Sequence, residues 1–373
     1  MYSFALINKK IVKRNLNLRK AQAQEKRKNG KGSWRPLKNY LGKVVSLSSS
    51  ELTGNETRIS NFVHDISKEN LLAAIKDANI TGMSGNSFPV YKKINTFLSS
   101  KSGKKILLIN AVECDPALLH DEWLLNNRYA EILQAINYMT QAFSLERVIL
   151  AVKNKYFKSN GKLTVSTVPP RYPMGEEHFL IRQAVGIPLE NTEIPAEHGI
   201  LVLNIQSIYQ ICKIANQCYD GGRFITIADL TEATAKIAYV YPTGNISNLL
   251  KTGFGEIGNK HLYKGYGIML CTGATEADNF SNHETFAAYT NPLEIKNSNK
   301  CKRCGSCSRK CPVKIKIDKV VQSVDKNQIF DYSPYHLERC IKCGSCTYFC
   351  PASKNVSGYV TEILDLFHNP VGY

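Results

Sequence analysis

The chain has 373 residues, 43% of them hydrophobic and 21% charged, with a formal net charge of +17. That length allows two or three domains. It contains no run of about 18 apolar residues, which excludes a transmembrane helix. The early apolar stretch "FALI" is too short for a signal peptide and runs at once into "NKKIVKR".

The charge is uneven. Residues 1–43 hold thirteen Lys/Arg and one Glu, so much of the excess belongs to a basic arm. Such an arm reads either as a solvated tail or as a docking element for an acidic partner or an anionic membrane surface. A nucleic-acid role is the weakest reading of it. A polar linker follows, and residues 1–65 are taken together as arm and linker. "SKENLLAAIKDANI" then predicts a helix with Ser67 as N-cap. The glycine-containing stretch "TGMSGNSFPVYKKI" comes next. "KKILLINAV" predicts a buried strand, "DEWLLNNRYAEILQAINYMTQAF" one long helix, and "ERVILAVK" a second buried strand. Strand, crossover helix and strand make a parallel βαβ unit, so residues 66–205 are expected to form an α/β domain. "GEEHFLIRQAV" continues it as helix and "GILVLN" as strand.

"QSIYQICKIANQ" reads as a helix leading into a smaller α+β module over residues 206–290. In that module "RFITIADL" and "KIAYVYP" are short strands, "NISNLLKTGF" a short helix, and "YKGYGIMLCTG" a glycine-broken strand. "EADNFSNHETFAAYTNPLEIKNSNK" reads as a polar connection to a last domain, residues 291–373.

That last domain carries the strongest signal. "CKRCGSCSRKCP" from Cys301 and "CIKCGSCTYFCP" from Cys340 both follow C-x2-C-x2-C-x3-C-P. In the two-cluster ferredoxin pattern, three cysteines of one run hold one cubane and the fourth ligates the other. Cys301, Cys304, Cys307 and Cys350 are therefore expected to hold one [4Fe-4S] cluster. Cys340, Cys343, Cys346 and Cys311 are expected to hold the second. Zinc sites usually offer paired C-x2-C ligands, and disulfide frameworks belong to short secreted chains. Thiolate clusters and the absence of a signal peptide indicate a reducing cytoplasm. Cys212, Cys218 and Cys271 have no metal-ligand spacing and read as buried thiols.

From about residue 66 to 355 the chain resembles the C-subunit family of Rnf-type electron transport complexes. That family shares its flavin module with the NADH-binding 51-kDa subunit of respiratory complex I. "GMSGNSFPVYKK" is similar to the family's flavin loop, keeping Gly82, Gly85, Phe88, Pro89 and Lys93. Ser84 and Ser87 stand where the family has glycine. "NAVECDP", Asn110 to Pro116, resembles the family's "NGAECEP", with Asp121 following. "YPMGEEHFLIRQAVG" is similar to stretches of both families, and "VYPTGNISNLL" resembles a soluble-ligand-binding β-grasp module. "KGYGIM" stands where the family has a Gly-Gly-Pro-Met turn. Where the family usually has an N-terminal β-sandwich, the basic arm stands here, and it reads as too polar for such a sandwich.

The resemblance implies a 51-kDa-like flavin domain, a β-grasp module and a helical dicluster ferredoxin-like domain. It implies FMN held by Gly82, Ser84, Gly85, Ser87, Phe88, Lys93, Asn110 and Glu113. Catalytic roles toward NADH fall to Glu113, Glu176 and Glu177. Adjacent acids such as Glu176 and Glu177 also suit the first turn of any helix, and glycine pairs mark ordinary turns. Electrons would pass from NADH through FMN and two [4Fe-4S] clusters to a one-electron acceptor. That acceptor would be another electron-transfer subunit or an acidic ferredoxin- or flavodoxin-like protein, at the cytoplasmic face of a membrane complex or free in the cytoplasm. The alternative is an adapter that has lost flavin and NADH binding and keeps only the dicluster wire. A cobalamin reductase is a third reading, without a corrin-specific motif to support it.

Overall fold

The computed structural model describes residues 59, 62, 66–83, 87–115, 117–153, 157, 159, 161, 163–232, 234–282, 284–291, 301–325, 335–352 and 354–368. The basic arm, together with Ser84 and Gly85 of the glycine loop, lies outside them.

Four parallel strands form the first sheet: β1 Ile106–Ala111, β2 Arg147–Val152, β3 Leu163–Thr167 and β4 Ile200–Asn204, in the order β3-β2-β1-β4. Burial on both faces explains why β1, β2 and β4 read as continuous apolar runs rather than alternating ones. Leu107, Ile109, Val148, Leu150, Leu201 and Leu203 face one core. It is filled by helices α1 Lys68–Asp77, α2 Val90–Leu98, α3 His120–Asn127, α4 Tyr129–Phe143 and α6 Ile205–Ala215. The intervening residues Ile106, Leu108, Ile149, Ala151, Ile200 and Val202 face the other side, covered by Leu180 and Ile181 of α5 Glu177–Ala184. Ser67 caps α1, accepting from the Asn70 N–H at 3.2 Å.

Two expectations are corrected here. The long helix after β1 is two helices, α3 and α4. Arg128 breaks them at φ −133°, ψ 32°; it is buried, with its guanidinium 5.3 Å from the Trp123 ring centre and donating to the Asn127 carbonyl at 2.9 Å. The supposed polar connection contains β9 Phe286–Thr290, fully buried and central in the second sheet. Five residues between polar flanks give too short a pattern to read, because their pairing partners lie far along the chain.

That second sheet comprises β5 Arg223–Asp229, β6 Thr234–Val240, β7 His261–Gly265, β8 Cys271–Ala274 and β9, ordered β6-β5-β9-β7-β8. Helix α7 Ile246–Phe254 covers one face, with Ile246, Leu249 and Leu250 packed on Ile225, Ile227 and Ala287. The other face continues the core of the first module: Phe224 meets Trp123 with ring centroids 4.7 Å apart. Helix α6, read from sequence as the lead-in to the second module, packs in the first-module core against α4.

The cysteine runs form a small helical unit with an internal two-fold repeat. Short helices α8 Ser306–Arg309 and α10 Ser345–Tyr348 begin after Gly305 (φ 65°) and Gly344 (φ 72°). Arg303 and Lys342, one residue before Cys304 and Cys343, both have φ 49°. Ser308 Oγ accepts from the Asp318 N–H at 2.8 Å, and Thr347 Oγ1 accepts from the Ser357 N–H at 2.7 Å. These bonds tie each run to its following helix, α9 Ile317–Asp325 and α11 Val356–His368. Val320, Val321, Val356, Val360 and Ile363 pack between them around Cys311 and Cys346. Among the described residues no helix is long and apolar enough to cross a membrane.

Candidate functional site

In an open parallel sheet, ligands bind beyond the carboxyl ends of the strands, where the strand order reverses. Here the chain moves from β1 to β2 and β3, then returns to β4 on the other side of β1. The site should therefore lie beyond the ends of β1 and β4. The segment after β1 is "NAVECDP", and β4 ends at Asn204, the N-cap of α6.

Three segments distant in sequence meet there. Asn110 Nδ2 donates to the Gly175 carbonyl at 2.8 Å, while its Oδ1 accepts from the Val112 N–H at 3.0 Å. The Gly175 N–H lies 3.3 Å from Cys114 Sγ. Asn110 thus staples the post-β1 loop to the "MGEE" turn. From the glycine loop, Lys93 Nζ on α2 reaches Glu177 Oε2 at 2.9 Å. Glu176 is the N-cap of α5, accepting from the N–H groups of His178 and Phe179, and its other oxygen is 3.0 Å from His178 Nδ1. Those bonds hold its carboxyl below the usual range and raise the His178 pKa. The two glutamates therefore differ: Glu176 secures the helix start, and Glu177 faces the lysine of the glycine loop.

The remaining predicted residues vary in accessibility. Ser87 takes φ 46°, the left-handed region that favours glycine. Its Oγ is buried with no hydrogen-bond partner among the described residues, as is Glu177 Oε1. The Gly82 N–H donates to the Phe88 carbonyl at 2.8 Å, closing the loop, and the Phe88 side chain is 50% exposed. Glu113 is buried with His120 and Asp121, its Oε1 3.6 Å from His120 Nδ1. Its Oε2 has no partner among the described residues. Asp121 accepts from Asn204 Nδ2 at 2.7 Å, and His120 Nδ1 lies 3.0 Å from Thr226 Oγ1.

Burial raises Glu113 well above the ordinary carboxylate range, reinforced by the neighbouring charge of Asp121. It pushes Asp121 up to about 6, although the Asn204 hydrogen bond opposes this, and His120 down to about 3. For Asp121 the folded pKa exceeds the unfolded one. Its contribution to stability is fully present below about 4 and is lost as pH rises through about 6. Asp121→Asn removes that loss. The melting temperature of the variant relative to the parent is therefore expected to rise between pH 4 and pH 7 in paired thermal melts. A constant difference would show that Asp121 does not titrate in that window.

Tyr172, Asp115 and Met269 carry connections that the sequence did not reveal. Tyr172 Oη donates to the Cys343 carbonyl at 2.6 Å. Asp115 accepts from the Met269 N–H at 3.0 Å, binding the post-β1 loop to the "KGYGIM" turn. A Cβ on Gly344 would lie 2.8 Å from the Met269 carbonyl, so only glycine lets that turn seat on the second cysteine run. Each contact joins segments about 70 residues or more apart, beyond the reach of any local pattern. No disulfide links cysteines among the described residues. Cys311 and Cys346 are buried in one core, and Cys301, Cys307, Cys340 and Cys350 pack against it. Burial pushes Cys307 up to about 11 and Cys346 higher still. Thiols of this kind become ligands when iron displaces the proton.

Comparison with known proteins agrees with this geometry. The family model of the Nuo51 FMN-binding domain matches residues 75–213, and that of the 4Fe-4S dicluster domain matches residues 300–354. The chain is thus a flavin-domain and dicluster iron–sulfur protein, with the domain set for FMN and two [4Fe-4S] clusters. More particularly, it is similar to the C subunit of ion-translocating oxidoreductase complexes. That protein from Haemophilus influenzae is 26% identical over 266 residues, covering 67% of this chain and 32% of the relative. The one from Rhodobacter capsulatus is 30% identical over 154 residues, covering 38% and 29%. The cobalamin reductase PduS of Salmonella typhimurium is 26% identical over 169 residues, covering 43% and 36%. The chain spans about a third of the length of these relatives. In fold it is similar to a chain of an NAD+-reducing [NiFe]-hydrogenase in the H2-reduced state. The TM-score is 0.54 at 14% identity, covering 81% of this chain and 62% of that one.

The residues present suit both cofactors. Buried oxygens on Ser87, Glu113 and Glu177 that have no partner among the described residues would offer polar contacts to a bound flavin. The two cysteine runs repeat the same left-handed residues, which bring the backbone around each set of thiols.

Proposed function

We propose that this chain is an electron-transfer subunit joining an NADH-oxidising flavin site to a one-electron partner through two iron–sulfur clusters. The observation that carries the proposal is the Tyr172–Cys343 hydrogen bond at 2.6 Å. It seats the second cysteine run on the loop that supplies Gly175, Glu176 and Glu177.

FMN, when bound, accepts a two-electron hydride and returns electrons singly. The chain's residues position it and shape access to it. Ser87 Oγ and the loop backbone would meet the phosphate. Asn110 holds the Gly175 turn, and Lys93 fixes Glu177 at the edge reached by NADH. The cysteines follow the crossed pattern, with Cys311 completing the Cys340–Cys346 set and Cys350 the Cys301–Cys307 set. Other members of a membrane-peripheral electron-transfer complex are the natural partners, and an acidic ferredoxin- or flavodoxin-like carrier is the finer expectation.

Anaerobic titration of purified, FMN-loaded protein with NADH tests this reading through the iron–sulfur absorbance. The wild type is expected to bleach within seconds. Glu177→Gln, which removes the charge paired with Lys93, is expected to slow bleaching about tenfold or more without changing iron content. FMN binding without bleaching would remove NADH from the proposal. If FMN fails to bind even in large excess, the dicluster adapter becomes the reading.

A further inference from the structure

The two cysteine runs are alike in sequence but not in setting. The second is enclosed. Gly344, Ser345 and Cys346 are buried, Tyr172 donates to Cys343, and Asn191 Nδ2 donates to the Arg339 carbonyl at 3.2 Å. The first run faces outward, and Cys304 is the exposed cysteine of the set. Within the run Lys302, Arg303, Arg309 and Lys310, and just after it Lys316 and Lys319, are all exposed. Asp318 is the only acid between residues 301 and 319, and it is occupied by Ser308.

From this asymmetry we infer that the cluster set of Cys301, Cys304, Cys307 and Cys350 is the outer electron port, and that its basic collar docks an acidic one-electron carrier protein. The second set is then the inner relay beside the flavin loops. The inference rests on the cluster reading above. It adds which set meets the partner and which side chains receive it. With the clusters bound, one electron would cross per encounter, the outer set being oxidised by one electron as the carrier is reduced by one. Charge is the argument for the occupant. Several exposed cations with one engaged acid give a field of one sign, which accelerates encounter with an anionic protein and repels a cationic one. Such docking weakens steeply with salt, because the Debye length falls from about 10 Å at 0.1 M to about 3 Å at 1 M.

The test uses the anaerobic, cluster-loaded full chain and measures binding by calorimetry. The probe is a strongly acidic bacterial two-[4Fe-4S] ferredoxin, with cytochrome c as a basic carrier for contrast. The charge-reversed variant is Lys302→Glu, Lys316→Glu and Lys319→Glu. These side chains are exposed, and the substitutions spare the left-handed residues Arg303 and Lys314. Its control is Lys92→Glu, Lys101→Glu and Lys104→Glu, exposed lysines on the flavin domain.

Ferredoxin affinity is expected to fall at least about tenfold in the first variant, and to change less than about twofold in the control. Cytochrome c should bind neither the wild type nor the control. The inference is overturned if ferredoxin does not bind the wild type, if both triple variants weaken it equally, or if cytochrome c binds as well. It is also overturned if the collar binds anionic vesicles and no acidic carrier. Iron analysis separates the underlying premise: a wild type without about eight iron atoms per chain refutes the cluster reading itself.

Discussion

Cys311→Ser is expected to strip the cluster held with Cys340, Cys343 and Cys346, lowering iron from about eight to about four per chain. The reason is spatial rather than sequential. Cys311 ends the first run, yet it is buried in the core between α9 and α11 beside Cys346. In the two-cluster pattern such a fourth cysteine ligates the cluster of the other run. Loss of Cys311 therefore removes a ligand from the inner set and leaves the outer set intact. EPR of the reduced protein should show one isolated cluster where the wild type shows an interacting pair. Cys271→Ser is the comparison: that thiol is buried against the β7–β8 turn and should leave iron unchanged. If Cys311→Ser instead empties the Cys301 set, the crossed assignment is wrong.

The cysteine runs were legible because cluster ligation is local. Three of the four thiols of each set lie within seven residues, and the glycine that turns the chain lies between them. Strands β1, β2 and β4 were legible for a related reason, since burial on both faces writes an unbroken apolar run. Helix α2 is hard to discern directly behind the glycine-containing loop, although Val90, Ile94 and Phe97 form its buried face. Strand β3 was missed because it is half-exposed and pairs only at the sheet edge. The flavin-site residues were named by resemblance, but their pairings were not. Nothing local indicates that Lys93 meets Glu177 or that Asn110 holds Gly175. His120 escaped notice for a similar reason. It starts α3 in an unremarked position and becomes meaningful only when Glu113, Asp121 and Thr226 converge on it.

Gly175→Ala is expected to cost the chain its flavin affinity while leaving its clusters in place. A Cβ at this position would lie 2.7 Å from the Val112 carbonyl and 3.2 Å from Cys114 Sγ. The nearer atom is backbone at the buried end of β1, so it cannot swing aside as a flexible side chain would. The "MGEE" turn must move instead, against the 2.8 Å bond from Asn110 to the Gly175 carbonyl. Overpacking of this kind costs about 1–3 kcal/mol. Glu177 follows Gly175 by two residues, so the shift also disturbs its pairing with Lys93. If the loss is expressed in binding, FMN affinity should fall about five- to hundredfold in a fluorescence-quench titration. Iron content should not change, because the dicluster core is built from α9, α11 and its own cysteines. Gly103→Ala provides the reference, since nothing lies within 4 Å of its added Cβ. Equal FMN affinity in the two variants would mean that the Asn110–Gly175 junction does not shape the flavin site. A parallel loss of iron would mean that the flavin loops and the inner cluster set fold as one unit, joined through Tyr172 and Cys343.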